Sequence, residues 1–308
     1  MVLDVGMEIW HCSGGVVDPA SGYRRGPMPK VTVVGSVNLD LVATASSLPR
    51  PGETVTDATF ERHPGGKGAN QALAARRMGA DVSLIACVGA DSEGETATRL
   101  LLEAGVDLSR CRRVADLPTG VALIVVDAAG ENQIVVAPGA NRQLQPGDVV
   151  LGANDVVVCQ LEIPVDVVGE ALRHAGLAIL NCAPARTLPP DVLTAANIVI
   201  VNETERSFYG DSLDSVELVI TTLGGRGVVA HRGRTEIAHV PAIDVTPIDT
   251  VGAGDAFVGA LAAELASGSD LDNAMRVATA AAGLTTTRRG AQPAIPERHE
   301  VVALLEDE

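Results

Sequence analysis

Short apolar runs recur along the second half of the chain, and helical stretches such as 164–175 separate several of them. The strand-like runs lie at 155–159, 178–180, 198–201, 218–221 and 228–230. This alternation predicts an α/β fold in which a mostly parallel central sheet carries helices on both faces. Ligands of such sheets bind beyond the carboxyl ends of the strands, so polar residues that follow a strand become the first candidates for a site.

A second sheet is indicated by a different pattern. Two strand-like runs, 121–126 and 133–136, flank a turn-rich segment, which is typical of a β-hairpin. Earlier in the chain, polar and apolar residues alternate from Val37 onward, which places Asn38 and Asp40 on one face of a strand. Together these segments predict a small β-sheet lid formed near 38–62 and 119–137.

Residues 1–30 are rich in Gly, Pro and Ser and have no clean period. Two interpretations stay open for them: translation from an upstream start codon, with Met28 as the natural start, or a disordered N-terminal arm. We assign this extension no function. Residues 31–308 are then expected to form one α/β domain with its lid.

Composition excludes several classes of function. Of the 308 residues, 46% are hydrophobic but only 2% aromatic, so the core must consist mainly of Val, Leu, Ile and Ala. The formal net charge of −16 disfavours nucleic acid and anionic membrane as partners, because phosphate contacts need clustered Lys and Arg. No apolar run reaches the length of a membrane span.

The five cysteines are scattered, with no Cys-x-x-Cys pair. Cys87 and Cys159 lie inside apolar runs, as reduced core cysteines do. The N-terminus has no signal-peptide pattern of basic, apolar and small regions. We therefore expect a cytoplasmic protein.

The segment around Gly252-Ala253-Gly254-Asp255 carries the strongest chemical signal. An Ala/Leu-rich run of high helix propensity follows at 256–266, so the glycine amides lie at a helix N-terminus, where they form an anion site. A carboxylate beside an anion site is explained if Asp255 takes a proton from an attacking hydroxyl while the amides stabilise a transferred phosphoryl group. The alternative is an ordinary helix with Asp in its first turn.

A second glycine-rich segment, 63–70, leads into a helix over 71–78. It is not a Walker A loop, because Gly68 follows Lys67 where Ser or Thr is required, and no Rossmann fingerprint is present either. The glycines allow the backbone to close on a small ligand, with Lys67 and Asn70 as hydrogen-bonding groups. The alternative is a helix-entry turn with an exposed lysine.

Five residues that lie just after a strand are expected to converge on one rim of the sheet. They are Asp40, Glu162, Asn202, Thr222 and Gly224. For Glu162 alone the alternative is a solvated surface acid. For residues 222–227 it is an ordinary glycine turn between strands.

Several motifs along the chain, taken in order, resemble those of the ribokinase/PfkB family of sugar kinases, and the resemblance covers residues 31–308. The motifs are Gly-Ser-Val-Asn-Leu-Asp at 35–40, Gly-Gly-Lys-Gly-Ala-Asn-Gln at 65–71, Ala-Pro-Gly-Ala-Asn at 137–141, Gln-Leu-Glu at 160–162, Asn-Cys-Ala-Pro-Ala-Arg at 181–186, Asn-Glu-Thr-Glu at 202–205, Thr-Leu-Gly-Gly-Arg-Gly at 222–227, Asp-Thr-Val-Gly-Ala-Gly-Asp at 249–255 and Thr-Arg-Arg-Gly-Ala-Gln-Pro at 287–293.

The resemblance implies ATP-dependent phosphorylation of D-ribose at its 5-hydroxyl, giving D-ribose 5-phosphate. Asp255 would be the general base, and the amides of Gly252, Ala253 and Gly254 the anion hole. The positions that hold the sugar, with Asp255, would be Asn38, Asp40, Gly66, Lys67, Asn70 and Glu162. Carboxylates and amides suit a polyol, since such a site rejects a sugar that lacks one hydroxyl.

The resemblance also implies a nucleotide site and two cations. Asn202 and Glu205 would position Mg²⁺, partly through water. The ATP site would comprise Asn202, Thr222, Gly224, Gly225, Gly227, Gly254 and Thr279. A monovalent cation, expected to be K⁺, would be held largely by backbone carbonyls at Asp249, Val251, Thr285, Arg288, Gly290 and Ala294.

Two positions depart from the family pattern. Ala294 replaces a frequent Ser, which bears on the strength of potassium activation, and Thr279 replaces Asn or His near the adenine, which bears on nucleotide preference. A kinase of the same fold that acts on deoxyribose, adenosine or a hexose remains the nearest alternative, followed by a non-catalytic sugar or nucleotide sensor. A homodimer through the lid sheet is the partner that the resemblance implies.

Overall fold

The structure of the protein, a computed structural model, describes residues 16–17, 24–25 and 30–307. The two interpretations of residues 1–30 therefore concern a segment that falls largely outside the described residues.

The strands and helices alternate along most of the chain. The strands are β1 (Val16–Val17), β2 (Arg24–Arg25), β3 (Lys30–Val34), β4 (Asn38–Thr44), β5 (Thr59–Gly65), β6 (Asp81–Gly89), β7 (Cys111–Val114), β8 (Gly120–Val126), β9 (Asn132–Ala137), β10 (Val156–Cys159), β11 (Leu177–Asn181), β12 (Ile198–Asn202), β13 (Leu218–Thr222), β14 (Val228–Arg232) and β15 (Thr235–Val240). The helices are α1 (Lys67–Arg77), α2 (Ser92–Ala104), α3 (Val165–Arg173), α4 (Pro190–Thr194), α5 (Glu203–Tyr209), α6 (Ala253–Ala266), α7 (Leu271–Thr286) and α8 (Arg298–Glu306).

Nine strands form the large sheet in the order β15-β14-β13-β12-β11-β10-β3-β6-β7. All neighbours from β13 to β7 are parallel, and only β14 and β15 run antiparallel to their neighbours. The parallel strands all end at one edge of the sheet, which is where ligands of such folds bind.

Helices cover both faces of this sheet. Alternate residues of β3 point to opposite faces, so Val31 and Val33 pack in one apolar cluster with α1, α6 and α7, whereas Val34 packs in a second cluster with α3 and α4. Both clusters consist almost wholly of aliphatic side chains, as the low aromatic content requires. The predicted fold class, with its mostly parallel sheet between two helical layers, is confirmed.

A separate four-stranded sheet has the order β5-β4-β8-β9. The predicted hairpin forms between β8 and β9, whose turn is closed by a 3.0 Å hydrogen bond from the amide of Asp127 to the carbonyl of Glu131. β4 lies between β5 and β8 and is antiparallel to the former and parallel to the latter. The small sheet thus joins segments that are distant in sequence.

Two edge strands of the large sheet, β7 and β15, have no counterpart among the predicted elements. Half of the residues in each strand are polar and nearly all are at least partly exposed, with the sequences Cys-Arg-Arg-Val and Thr-Glu-Ile-Ala-His-Val, because an edge strand packs on few neighbours. α1 also begins at Lys67 rather than at the predicted Gln71. Within the described ranges, we find no helix that has both the length and the apolar character to cross a membrane.

Candidate active site

Asp255 lies in the first turn of α6, at the predicted place. Gly252 precedes the helix with φ 79°, and a Cβ atom there would lie 2.9 Å from Cα of Ala291. Only glycine meets both conditions, since other residues rarely adopt this φ. The turn therefore brings the positive dipole end of α6 and the amides of Gly252 and Gly254 to the edge of the large sheet, while the Ala253 amide donates to the carbonyl of Thr250 at 3.3 Å.

The second glycine-rich segment forms the beginning of α1. Gly66 has φ 90° and lies so close to β4 that a Cβ atom would be 2.6 Å from the backbone nitrogen of Asn38. Lys67 follows as the first helical residue. Burial disfavours its charged ammonium, but the surrounding carboxylates, Asp255 and Glu162 foremost, outweigh this and raise the pKa of Lys67 above its usual value.

Two amides hold the carboxylate of Asp255. Asn70 Nδ2 donates to Oδ2 at 2.9 Å, and Gln71 Nε2 donates to Oδ1 at 2.8 Å. All three side chains belong to buried residues. The two glycine-rich motifs, remote in sequence, thus meet at one carboxylate.

Glu162 lies at the opposite side of this group and gathers three donors on one oxygen. Its Oε2 accepts hydrogen bonds from Ser36 Oγ at 2.5 Å, from the backbone amide of Lys67 at 3.1 Å and from Asn38 Nδ2 at 3.4 Å. Asn38 is oriented in turn by Asn141, whose Nδ2 donates to its Oδ1 at 2.8 Å. The surface-acid alternative for Glu162 does not describe this environment.

Asp40 is buried in β4, on the same strand face as Asn38. Desolvation, together with the negative charges of Glu162 and Asp255, raises the pKa of Asp40 to about 7, although the charge of Lys67 opposes the change. The structure therefore brings together all the sequence-predicted sugar contacts, namely Asn38, Asp40, Gly66, Lys67, Asn70, Glu162 and Asp255, and leaves one carboxyl protonated for much of the acidic range.

A cavity of about 220 Å³ adjoins this group and is lined by Lys67, Asn202, Glu205, Gly254 and Asp255 among others. Asn202 and Glu205 form a reciprocal capping box at the start of α5, with both amide-to-oxygen distances at 2.8 Å. Burial raises the pKa of Glu205 above its usual value, although the hydrogen bond from the Asn202 amide acts to lower it. The two side chains are therefore held rigidly beside the cavity.

A larger cavity of about 520 Å³ adjoins the smaller one, and Thr222, Thr250 and Gly254 line both. The remaining predicted nucleotide residues line the larger one: Gly224, Gly225, Gly227 and Thr279. The Thr279 hydroxyl donates to the carbonyl of Met275 at 2.8 Å, so it is already engaged within α7. All predicted nucleotide residues thus lie along two adjoining cavities.

The residues implied for a monovalent cation lie on two adjoining loops. Asp249 Oδ1 accepts from the amide of Val251 at 3.0 Å, and its Oδ2 accepts from the amide of Gly290 at 2.9 Å. The Asp249 amide donates to the carbonyl of Thr286 at 3.0 Å. Asp249 therefore ties the segment before α6 to the segment after α7.

Side-chain oxygens contribute little to this second group. The Thr285 hydroxyl donates to the carbonyl of Ala281 at 2.8 Å, Arg288 is paired with Glu300, and the buried Ala294 has none. Any cation held here would depend on backbone carbonyls and on Asp249.

Three residues whose side chains hydrogen-bond to the predicted sugar contacts were not among the predicted site residues: Ser36, Gln71 and Asn141. Each lies inside one of the quoted motifs, but its role depends on contacts across more than 100 positions, such as the 2.9 Å bond from the Val37 amide to Asn141 Oδ1. For Gln71 a signal was present, since it is a polar residue one turn before Ala74 and Ala75, on a face of α1 that is otherwise small and apolar there.

Comparison with known proteins places this geometry in a family. A family profile described as pfkB family carbohydrate kinase matches residues 28–298. Ribokinase from Bacillus subtilis (strain 168) is 38% identical over 294 residues, which cover 90% of this chain and 100% of that protein.

Solved structures agree. Ribokinase from Thermotoga maritima superposes with a TM-score of 0.82 at 33% identity, covering 91% of this chain and 99% of that one. Arabidopsis thaliana ribokinase, solved in complex with ribose and ATP, has a TM-score of 0.78 at 28% identity, covering 91% and 99%. On the profile match and these relatives, the chain belongs to the pfkB family of carbohydrate kinases and is a kinase.

Proposed function

We propose that this kinase transfers the γ-phosphoryl group of ATP to the 5-hydroxyl of D-ribose. The observation that carries the proposal is the position of Asp255. Its carboxylate lies at the N-terminus of α6, bonded to Asn70 and Gln71 and lining the smaller of the two adjoining cavities. A base at this junction can serve an acceptor hydroxyl on one side and a phosphate chain on the other.

The acceptor side suits a small polyol. Asp40, Glu162, Asn38 and Asn70 provide the carboxylates and amides, with Asn38 bonded to Glu162 at 3.4 Å and Asn70 to Asp255 at 2.9 Å, and all four but Glu162 are buried. Such groups recognise a sugar hydroxyl by hydrogen bonding and are left unpaired by a sugar that lacks it, which gives strong discrimination. The similarity to the Arabidopsis protein, which was solved with ribose and ATP, supports ribose in this role.

The donor side suits a nucleotide. The larger cavity has predominantly small or apolar lining residues, including Ala242, Ile243 and Gly283, and it shares Gly254 with the smaller cavity. An adenine and ribose in the larger cavity would direct the phosphate chain to the N-terminus of α6. ATP is thereby the phosphoryl donor that this arrangement favours.

The reaction follows from these positions. Asp255 accepts the proton of the 5-hydroxyl while that oxygen forms a bond to the γ-phosphorus and the bond to the leaving ADP oxygen breaks. The backbone amides at Gly252, Ala253 and Gly254 stabilise the charge on the transferred group. Lys67, positively charged beside the same cavity, contributes to the same stabilisation.

Mg²⁺ fits the residues of the smaller cavity. No cluster of three or more His, Cys, Asp or Glu suited to a metal occurs within the described part of the chain, but Mg²⁺ normally keeps several waters and takes few protein ligands. Asn202 and Glu205 offer hard oxygen atoms at this cavity and would hold the ion through water. Bound there, Mg²⁺ would neutralise charge on the nucleotide phosphates.

K⁺ is proposed for the loops that Asp249 ties together. Each carboxylate oxygen of Asp249 accepts one amide hydrogen and so retains a further acceptor position. Carbonyls of the loops at Val251, Thr285, Arg288, Gly290 and Ala294 would complete the site. The Ala294 position adds no hydroxyl, and we therefore expect modest activation by K⁺ over Na⁺.

The small sheet acts as a lid in this proposal. Asn38 and Asp40 belong to β4, so a sugar in the site contacts the lid and the large domain together. Closure would exclude water from the transferred phosphoryl group and limit ATP hydrolysis. The outer face of the lid carries exposed apolar side chains, which supports a homodimer through this sheet.

We place the protein in the cytoplasm, where ATP is available and thiols stay reduced. Cys87, Cys159 and Cys182 are free and buried. Unpaired cysteines are typical of a reducing compartment. Fractionation of the native host would test the assignment, and recovery from an oxidising compartment would contradict it.

The experiment that tests the function is ADP release from Mg-ATP with a panel of acceptors: ribose, 2-deoxyribose, fructose, adenosine and uridine. We expect ribose to have the highest kcat/KM, by orders of magnitude over adenosine and uridine. A different best substrate would retain a kinase of this fold and overturn the ribose assignment. Absence of turnover with every acceptor would favour a non-catalytic sensor.

A further inference from the structure

Gln71 contacts the candidate base and has no role in the proposal so far. Its side chain is 0% exposed, in the turn of α1 that follows Lys67. Nε2 donates to Asp255 Oδ1 at 2.8 Å and to Asn181 Oδ1 at 3.1 Å. Both hydrogens of this amide nitrogen are thus used, one on each acceptor.

The direction of the amide follows from its partners. Asn181 Nδ2 donates to the carbonyl of Ile200 at 3.3 Å, so Asn181 must present its oxygen to Gln71. The ionised carboxylate of Asp255 only accepts hydrogen bonds. Gln71 therefore presents its nitrogen to both. A chain of hydrogen bonds thus links the carbonyl of Ile200 on β12, through the side chains of Asn181 and Gln71, to the carboxylate of Asp255.

The other oxygen of Asp255 is held by Asn70. Two amides from consecutive residues of α1 therefore grip the two carboxylate oxygens. Each oxygen can accept about two hydrogen bonds, so one position remains on each for a substrate hydroxyl. The plane of the carboxylate, and with it the direction of the remaining acceptor positions, is set by these two contacts.

A space-filling role does not account for the glutamine. Its Oε1 is buried and has no hydrogen-bond partner within the described residues. An unsatisfied buried carbonyl costs stability, and Met or Leu would fill this site without that cost. The two hydrogen bonds that Nε2 donates therefore account for a glutamine at this position.

We propose that Gln71 is a positioning residue that, anchored through Asn181 to β12, fixes the carboxylate of Asp255 for proton transfer. This inference rests on the proposed function, since it assumes that Asp255 is the base. β12 ends at Asn202, on the smaller cavity. The same strand thus supports both the base, through Asn181, and the residues expected at the phosphates.

Two variants of Gln71 test the proposal. Gln71→Met keeps the length of the side chain and removes the donor, and we expect kcat to fall by roughly 10- to 100-fold with KM for ribose and ATP nearly unchanged. Gln71→Glu keeps the shape and places a second carboxylate beside Asp255. Because two such groups share a proton, we expect the acid limb of the kcat–pH profile to move to higher pH by about one unit or more.

Gln160→Met is the matched control, because Gln160 is also 0% exposed and its amide has no partner within the described residues. The Gln160→Met variant should have the acid limb of its kcat–pH profile at the same pH as the wild type. The thermal unfolding midpoint is measured for every variant to establish that each one is folded. Folded Gln71 variants with wild-type kcat and pH profile would overturn the positioning role alone. An inactive wild-type protein, or an active Asp255→Asn variant, would instead overturn the proposed function.

Discussion

Asn70 Nδ2 donates a 2.9 Å hydrogen bond to Oδ2 of Asp255, although 185 positions separate the two residues. The contact is possible because α1 and α6 pack closely, with Gly259 of α6 directly against the backbone of α1. The proposed base and the two amides bonded to it thus come from two helices, each of which begins at a glycine with positive φ. The chemistry of the site depends on how accurately these two helices are held together.

Replacing Asp255 by Asn should reduce kcat by roughly 100-fold or more, because a neutral amide cannot accept the proton of the hydroxyl. Ribose should still bind, since the substituted side chain has the same shape and keeps one oxygen that can accept a hydrogen bond from Asn70 or Gln71. The measurements are steady-state ADP release and calorimetric titration with ribose. Turnover near the wild-type rate would exclude Asp255 as the base.

How far the sequence predicts this site depends on the range of each contact. Asp255 and Lys67 follow from local patterns, a helix N-terminus and a glycine-rich turn. Asn141 does not, because its position depends on the pairing of β8 with β4, which no local pattern specifies.

The same limit applies to the fold. The buried parallel strands are apolar and were predicted, whereas β7 and β15 lie at the edges, where polar side chains are tolerated and periodicity is lost. The register of the small sheet could not be predicted from the sequence either. It places Asp40 opposite His63 and Ala122, and only strand pairing establishes that alignment.

Replacing Glu162 by Gln should raise KM for ribose about 10-fold or more and leave KM for ATP within about twofold. One oxygen of Glu162 accepts from Ser36, Asn38 and the amide of Lys67, and hydrogen bonds to a charged group are worth about 1.5–3 kcal/mol. The control is Glu170→Gln on α3, which removes a carboxylate far from these donors in the chain. An unchanged KM for ribose in the Glu162 variant would remove this residue from the sugar site.

Asp40 predicts a pH-dependent stability without ligand. Its pKa of about 7 in the folded protein exceeds the usual 3.8, so the folded state holds this proton more tightly than the unfolded state. The resulting stabilisation is complete below about pH 4 and is lost as the pH rises through 7. The loss is on the order of a few kcal/mol, because the ionised group is buried beside other carboxylates.

Asp40→Asn should therefore gain stability relative to the wild type as the pH rises from about 4 to 7, with a constant difference outside that window. Urea unfolding of both proteins at a series of pH values, at fixed ionic strength, measures the difference directly. A difference that does not vary with pH would show that Asp40 ionises normally in the folded protein.

The proposed dimer predicts that the outer face of the small sheet is buried between two chains. Phe60, Leu123 and Val135 are 58%, 50% and 66% exposed. The strand pairing places Leu123 opposite Val135, and both on the face that Phe60 occupies. Three large apolar side chains in such an arrangement suit a protein partner better than water.

Leu123→Lys should therefore convert a dimeric wild type into a monomer in analytical ultracentrifugation at micromolar concentration. Ile237→Lys is the matched control, since Ile237 is an exposed apolar residue on β15 of the other sheet. A monomeric wild type, or a dimer that survives the Leu123 change, would argue against association through the lid.

The packing of α1 on α6 gives the last prediction. A Cβ atom at Gly259 would lie 2.4 Å from the Gln71 carbonyl and 2.5 Å from Cβ of Ala74, closer than real Cβ contacts allow. Gly259→Ala must therefore push the helices apart, at a cost of about 1–3 kcal/mol in unfolding free energy. The shift also moves Gln71 and Asn70 relative to Asp255, so kcat should fall by about 10-fold or more with little change in KM.

Gly147→Ala, in the segment before β10, is the control for this change, because the added Cβ would meet no atom within 4 Å and Gly147 lines neither cavity. There the smaller conformational entropy of the unfolded chain should stabilise the protein by about 0.4–1 kcal/mol. Denaturant unfolding and steady-state kinetics of the two variants separate the effects. If Gly259→Ala were as stable and as active as the wild type, close contact of α1 with α6 would not be what holds the base in place.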